Sequence, residues 1–207
     1  MKHFFIFGIV SRETLFTRKA IVMELAEKLK PISVEEVKSA CIAARGYVDA
    51  VYLHWSAGRY GQVYEDYHVS IDYDGRIYFP DNDGDFTVFR EHTWKRNTGS
   101  IGIALCGCFD AEANNGINCD FGSNPVTQSQ IEIISWLVAM FVRYAGVDMD
   151  SVLTHCEAAF RDGYGPYSGD PETRWDLWFL PDSGKNGKMM PGGDVIRGKA
   201  RWYINQI

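Results

Sequence analysis

The segment Val51-Tyr52-Leu53-His54-Trp55 decides the fold, because it is an apolar run of the length and composition of a buried β-strand. A second run, Ser151-Val152-Leu153-Thr154-His155, has the same character and also closes on a histidine. Two such runs predict a sheet in which an imidazole lies at the end of each of two core strands.

Further short runs complete the predicted sheet. The first strand is expected over Val48–Trp55, and Tyr67–Tyr73 alternates apolar and polar residues before the hairpin turn signal Asp74-Gly75. Strands are also predicted at Arg76–Phe79 and Ser100–Leu105. Together with the helices, these strands predict an α/β (α+β) fold with a central mixed β-sheet.

Three helices are predicted around this sheet. Glu13–Leu29 and Val34–Arg45 have a helical spacing of apolar residues, and Ser33 with Glu36 forms a capping box for the second. Gln128–Tyr144 is apolar nearly all round, so it is expected to pack inside the domain.

The predicted domain boundaries follow from composition. Residues 47–182 are expected to form the compact domain, with an N-terminal helical extension, 1–46, packed on it. Cys156–Pro181 is rich in turn residues, and the glycine-rich segment that follows predicts a loose, basic C-terminal extension over residues 183–207.

Length and charge exclude several classes of function. The 207 residues can bury a full core, while a net charge of −6 argues against nucleic-acid binding by the whole chain. The C-terminal extension carries a net +4, so it either is solvated or contacts an anionic polymer. Five cysteines, an odd number, do not indicate a disulfide framework. No apolar stretch is long enough to span a membrane, and no signal peptide is recognised.

The two strand-end histidines predict a metal site. His54 and His155, joined by a carboxylate from a loop, would provide three protein ligands. Such a set leaves the fourth position of zinc to water, which is typical of a catalytic rather than a structural zinc site.

Several short motifs occur in an order and spacing that together are specific. They are His54-Trp55-Ser56-Ala57-Gly58, Asp66-Tyr67-His68-Val69-Ser70-Ile71, Asp74-Gly75, Arg96-Asn97-Thr98-Gly99-Ser100-Ile101-Gly102-Ile103-Ala104-Leu105, Thr154-His155-Cys156-Glu157 and Arg174-Trp175-Asp176. Through them, the region Val48–Pro181 resembles the zinc-dependent N-acetylmuramoyl-L-alanine amidases, a family that includes phage endolysins and peptidoglycan recognition proteins. The resemblance implies a catalytic domain at 47–182 that uses Zn²⁺ to hydrolyse the amide between N-acetylmuramic acid and L-alanine in peptidoglycan. Its partner is then the glycan strand with its stem peptide, and we expect a monomer with no nucleic-acid partner and no membrane insertion.

The same resemblance implies which residues hold the metal. His54, His155 and Asp176 match the family's ligands, and Asp170 is an alternative third ligand because some members carry Asp-Pro there. Asp176 fits better, since the family places a basic residue two positions before the ligand and Arg174 stands there. Arginine replaces the more usual lysine, so Arg174 can stabilise an oxyanion but cannot act as a general acid.

Tyr67 matches the family's catalytic tyrosine, whose phenol can donate a hydrogen bond to the oxyanion that forms when the amide is attacked. A subgroup of the family uses a glutamate where this chain has Ala104, so the chain resembles the tyrosine type. His68 is expected to point to the opposite face and to serve the structure.

Four other residues are candidates for supporting or substrate-binding roles. Glu157 would orient a ligand imidazole or lie on the surface; His92 and Asn97 would line the cleft or belong to a polar loop; Trp55 would face sugar or lie in the core.

Two other functions stay open and a third is disfavoured. A non-hydrolytic peptidoglycan-binding module would share the fold but lack the third ligand, and a zinc amidase could act on another amide. A cysteine hydrolase using Cys156 beside His155 is disfavoured, because neighbours on a strand point to opposite faces. Synthesis in the cytoplasm, followed by release or export to the cell wall, is the expected location.

Overall fold

The computed structural model describes residues 29–81, 84–114, 118–165, 175–182 and 190–207. The predicted helix at Glu13–Leu29 lies outside them except for its last residue, and the three-segment division of the chain stays a prediction. The strands are β1 (Ala50–Trp55), β2 (Val69–Ile71), β3 (Ile77–Tyr78), β4 (Ser100–Leu105), β5 (Glu112–Asn114), β6 (Asn118–Asp120) and β7 (Val152–Thr154).

Five of these strands form the predicted central mixed sheet, in the order β3-β2-β4-β1-β7. β1 is parallel to both β4 and β7, β2 is parallel to β4, and β3 is antiparallel to β2. The carboxyl ends of the four parallel strands therefore meet at one edge of the sheet. Leu53 is paired with Thr154, so the next residues along the chain, His54 and His155, are neighbours at that edge.

Within the described residues, four α-helices accompany the sheet: α1 (Val34–Ala43), α2 (Gln128–Met140), α3 (His155–Asp162) and α4 (Gly192–Tyr203). α1 begins with the predicted capping box of Ser33 and Glu36. α2 continues through a π-helical turn, Phe141–Ala145, and buries most of its residues as its composition predicts. A single core cluster joins α1, the sheet, α2 and α4.

The prediction that His155 ends a strand was wrong. β7 stops at Thr154, whose hydroxyl accepts a hydrogen bond from Glu157 N–H at 3.1 Å, while the Glu157 carboxylate accepts one from Thr154 N–H at 2.8 Å. This capping box starts α3 at His155, so the segment after it is helical rather than turn-rich as far as Asp162. The imidazole is therefore carried by the first turn of a helix.

The prediction of a loose C-terminal extension was also wrong, since Gly192–Tyr203 forms α4. Ile196 and Ala200, four residues apart, are both fully buried in the core, and α4 packs mainly against α2. Lys199 and Tyr203 each donate a hydrogen bond to Glu132 on α2. Arg197, Lys199 and Arg201 thus lie on a docked helix.

Among the described residues, no helix combines the length and the apolar character that crossing a bilayer requires.

Candidate metal centre

His54, His155 and Asp176 converge at the carboxyl edge of the sheet. One ligand atom from each lies within 4.8 Å of the others, and the two imidazole rings are 4.7 Å apart between centroids. Asp176 divides its carboxylate between them: Oδ2 is 3.0 Å from His54 Nδ1, and Oδ1 is 3.3 Å from His155 Nδ1. The three residues brought together by the resemblance are therefore neighbours in space.

This donor set fits zinc. Ligand atoms bound about 2.0–2.1 Å from a tetrahedral zinc are separated by roughly 3.3 Å, close to both Asp176–histidine distances. His155 Nε2 is buried and has no hydrogen-bond partner among the described residues, so those residues leave this ring nitrogen unengaged. Two imidazoles and one carboxylate leave a fourth position open, as in catalytic zinc sites.

The electrostatics of the cluster favour the metal-binding protonation states. Burial lowers the pKa of His54, which keeps its imidazole neutral at neutral pH. Burial would raise the pKa of Asp176, but the two histidines outweigh it and hold that pKa well below its usual range. A neutral imidazole and an ionised carboxylate are the forms that bind metals.

The turn that carries Asp176 is fixed by its neighbours. Trp175 packs edge-on against Trp55, with ring centroids 4.9 Å apart, and Leu177 is fully buried. Trp178 N–H donates to Trp175 O at 3.0 Å, closing the turn. Trp55 is itself a buried core residue, and its contact with Trp175 helps to fix the turn that carries Asp176.

Tyr67 lies beside the cluster, its ring 5.1 Å from that of His54 between centroids. Burial, reinforced by the negative charge of Asp176, raises the pKa of its phenol well above the ordinary value. The hydroxyl therefore keeps its proton and remains a hydrogen-bond donor throughout the neutral range.

His92, which the sequence placed either in the cleft lining or in a polar loop, is buried behind His54. Its ring is 5.7 Å from that of His54, and burial lowers its pKa to about 2. Between the two imidazoles lies the hydroxyl of Thr93, which is 3.2 Å from His54 Nε2 and 3.0 Å from His92 Nδ1. Sequence reasoning missed Thr93 because a threonine carries no metal-binding signal of its own.

Asn97 and Arg96 hold the loop that carries Thr93. Asn97 Oδ1 accepts a hydrogen bond from Thr93 N–H at 2.7 Å. The Arg96 guanidinium makes two 2.6 Å hydrogen bonds with Asp162 at the end of α3. Asn97 therefore caps this loop through its side-chain oxygen.

His68 has the structural role predicted for it. Its Nδ1 accepts from Gly102 N–H at 3.0 Å, and its Nε2 donates to Val88 O at 2.8 Å. Ala104, where a subgroup of relatives carries glutamate, is buried and paired with His54 across the sheet.

Glu157 serves the helix start rather than an imidazole. Besides capping Thr154, its carboxylate accepts hydrogen bonds at 2.7 and 2.8 Å from the guanidinium of Arg197 on α4. Arg174 and the alternative ligand Asp170 lie outside the described residues.

Comparison with protein families identifies one match. A family model described as N-acetylmuramoyl-L-alanine amidase matches residues 39–171, more than half of the chain. The match includes His54, Tyr67 and His155 and ends before Asp176, so the place of that carboxylate rests on the geometry above. A comparison with curated proteins found no match.

Proposed function

The chain belongs to the N-acetylmuramoyl-L-alanine amidase family, and from this premise we propose that it is a zinc-dependent hydrolase of peptidoglycan. Its reaction is hydrolysis of the amide that joins N-acetylmuramic acid to the L-alanine of the stem peptide. The observation that carries this proposal is the convergence of His54, His155 and Asp176 at one edge of the sheet.

In this proposal the three residues hold Zn²⁺. Zinc in such a site supplies Lewis acidity and lowers the pKa of a bound water to about 7. The chain's part is to keep the imidazole of His54 neutral by burial and the carboxylate of Asp176 ionised beside two histidines.

Tyr67 is proposed to stabilise the charge that develops on the amide oxygen. Its phenol lies beside His54 and retains its proton, so it can donate a hydrogen bond to the oxyanion of the tetrahedral intermediate. Arg174, two residues before Asp176 in sequence, is proposed to add a positive charge to the same intermediate.

The test is digestion of purified peptidoglycan by zinc-loaded and chelator-stripped protein, with products identified by mass spectrometry. Free stem peptides that begin at L-alanine, lost on chelation and restored by zinc, are expected. A His54→Ala variant should release none, and full activity of that variant without metal would overturn the scheme.

The same assay separates this function from two of the alternatives, the non-hydrolytic binding module and the cysteine hydrolase. Binding of intact wall without any product would favour the non-hydrolytic module, whereas the presence of Asp176 beside His54 and His155 supports an enzyme. A cysteine mechanism is disfavoured because Cys156 is buried and its burial raises the pKa of its thiol, which suppresses the nucleophilic thiolate.

A further inference from the structure

Behind His54 runs a chain of buried hydrogen-bonding groups that ends on a backbone carbonyl. From His54 Nε2 it passes to Thr93 Oγ1 at 3.2 Å and then to His92 Nδ1 at 3.0 Å. His92 Nε2 lies 3.4 Å from Ser100 Oγ, which is 2.6 Å from the carbonyl oxygen of Arg96. Thr93, His92 and Ser100 are all buried, so the chain is shielded from solvent.

The far end of this chain fixes its direction. A carbonyl oxygen only accepts, so the single hydroxyl hydrogen of Ser100 points to Arg96 O, the shortest contact in the series. Ser100 Oγ is then left to accept from His92 Nε2–H, which makes Nδ1 of the neutral His92 ring an acceptor. Thr93 in turn donates its hydroxyl hydrogen to His92 Nδ1 and accepts from His54 Nε2–H.

The direction of these hydrogen bonds determines which nitrogen of His54 faces Asp176. With the proton on Nε2, Nδ1 presents a lone pair to Asp176 Oδ2 at 3.0 Å, so two electron-pair donors face each other. Such a pair is favourable only when a cation lies between them. The hydrogen bond from His54 to Thr93 therefore selects the Nε2–H tautomer of His54, which is the one that leaves Nδ1 free to bind a metal ion.

We infer that Thr93 is a positioning residue for the metal: its hydroxyl, oriented by His92 and Ser100, holds His54 in the Nε2–H tautomer that presents Nδ1 to zinc. This inference rests on the proposed function and adds a residue to it. The backbone is arranged around the chain, since Asn97 holds Thr93 N–H and a Cβ at Gly102 would lie 2.5 Å from His92 Cγ.

The first test measures Zn²⁺ affinity by competition with a chromophoric chelator. Thr93→Val, which removes only the hydroxyl, should weaken binding by about 10- to 100-fold, whereas Thr93→Ser should stay within about threefold of the natural chain. Thr98→Val, an exposed change in the same loop, is the matched control and should leave the affinity unchanged. Equal zinc affinities of the Thr93→Val variant and the natural protein would overturn the inference. Failure of the natural protein to bind zinc would instead overturn the proposed zinc site itself.

A second test needs neither metal nor a variant. Nitrogen-15 NMR of the zinc-free natural chain at pH 7.5 should show His92 neutral with its proton on Nε2. A proton on Nδ1 of His92 would reverse the direction of the hydrogen bonds and overturn the inference. This result can be obtained even if the Thr93→Val variant does not fold.

Discussion

Asp176 Oδ2 lies 3.0 Å from His54 Nδ1, while Oδ1 of the same carboxylate lies 3.3 Å from His155 Nδ1. One carboxylate thus bridges two imidazoles that come from different elements, β1 and α3. With the proton of His54 on Nε2, the carboxylate would face the Nδ1 lone pair of His54 unless a cation lay between them. The carboxylate is therefore the group on which the proposed metal binding depends most directly.

We predict that Asp176→Asn weakens Zn²⁺ binding by more than about 100-fold, beyond the usual cost of losing an outer hydrogen-bond partner. Asp170→Asn is the matched control and should bind zinc like the natural chain. Isothermal titration of both variants measures the difference. The reverse pattern, with only Asp170→Asn losing zinc, would assign the third ligand to Asp170.

Tyr67→Phe is expected to lower kcat by about 10²- to 10³-fold, the usual cost of one oxyanion donor. Zinc affinity should not change, because the phenol lies beside the ligands without being one. Since the pKa of Tyr67 is raised, the natural chain should show no loss of activity from ionisation of this phenol between pH 7 and its ordinary value near 10. Steady-state kinetics on a soluble muropeptide measures all three.

The control for this variant is Tyr144→Phe, which removes the hydroxyl of a tyrosine outside the ligand set, whose ring lies 4.7 Å from Lys38 Nζ on α1. It should leave kcat within about twofold. An equal loss of kcat in both phenylalanine variants would show that Tyr67 acts through stability rather than through its hydroxyl.

Arg197→Ala is expected to lower the free energy of unfolding by about 2 kcal/mol, because charge-assisted hydrogen bonds to a largely buried guanidinium are lost. Arg197 joins α4 to Glu157 at the start of α3 and to Val152 O at 3.0 Å on β7. Urea unfolding of the zinc-free protein measures the change.

Lys199→Ala offers a matched comparison on the same helix. Lys199 also pairs with a glutamate, Glu132, but both side chains are about one-third exposed, so the loss should stay under about 1 kcal/mol. A larger loss at Lys199 than at Arg197 would contradict the importance given to the Arg197 contacts.

Two glycines should respond in opposite directions to alanine. Gly102 lies on β4 under the ring of His92, where a Cβ would come within 2.5 Å of Cγ, so Gly102→Ala should destabilise the fold by about 1–3 kcal/mol. Gly198 lies within α4 with no atom near its Cβ position, so Gly198→Ala should stabilise the fold by about 0.5–1 kcal/mol. Thermal unfolding of both variants checks the two signs, and stabilisation by Gly102→Ala would show that His92 is not closely packed there.

The sheet could be predicted from sequence because each of its main strands is a short apolar run, which is recognisable without knowing what packs against it. His54 lies at the end of β1 as its run indicates. His155 was correctly placed at the sheet edge and wrongly assigned to a strand, because the Thr154 and Glu157 capping box ends β7 one residue earlier. Only the resemblance pointed to Asp176.

What the sequence could not reveal depends on partners distant along the chain. Thr93 matters through His54, a residue 39 positions away, and nothing in its own neighbourhood marks it. α4 was not predicted because the glycines at its start indicate a loop. Ile196 and Ala200 are recognisable as core residues only when α2 is seen to pack against them.

His68 should make the stability of the fold depend on pH. Both of its ring nitrogens are already engaged, Nδ1 as the acceptor for Gly102 N–H, so a second proton would break that bond. Burial is the main cause that lowers the pKa of His68 to about 4. The hydrogen bond to Val88 O opposes this shift, and the charge of Arg90 adds to it. The unfolded chain takes up this proton near its ordinary pKa of about 6.5, well before the folded chain does.

Stability should therefore be complete above about pH 6.5 and fall as the pH drops toward 4, because the unfolded state binds more protons in that window. At about 1.4 kcal/mol per pKa unit, the loss from His68 approaches 3 kcal/mol near pH 4. Urea unfolding between pH 7.5 and 4.5 measures it, with zinc-free His68→Gln as the control that cannot titrate. The difference between the two proteins in the free energy of unfolding, followed against pH, reports the titration of His68 alone. Parallel curves would show that folding does not change the pKa of His68.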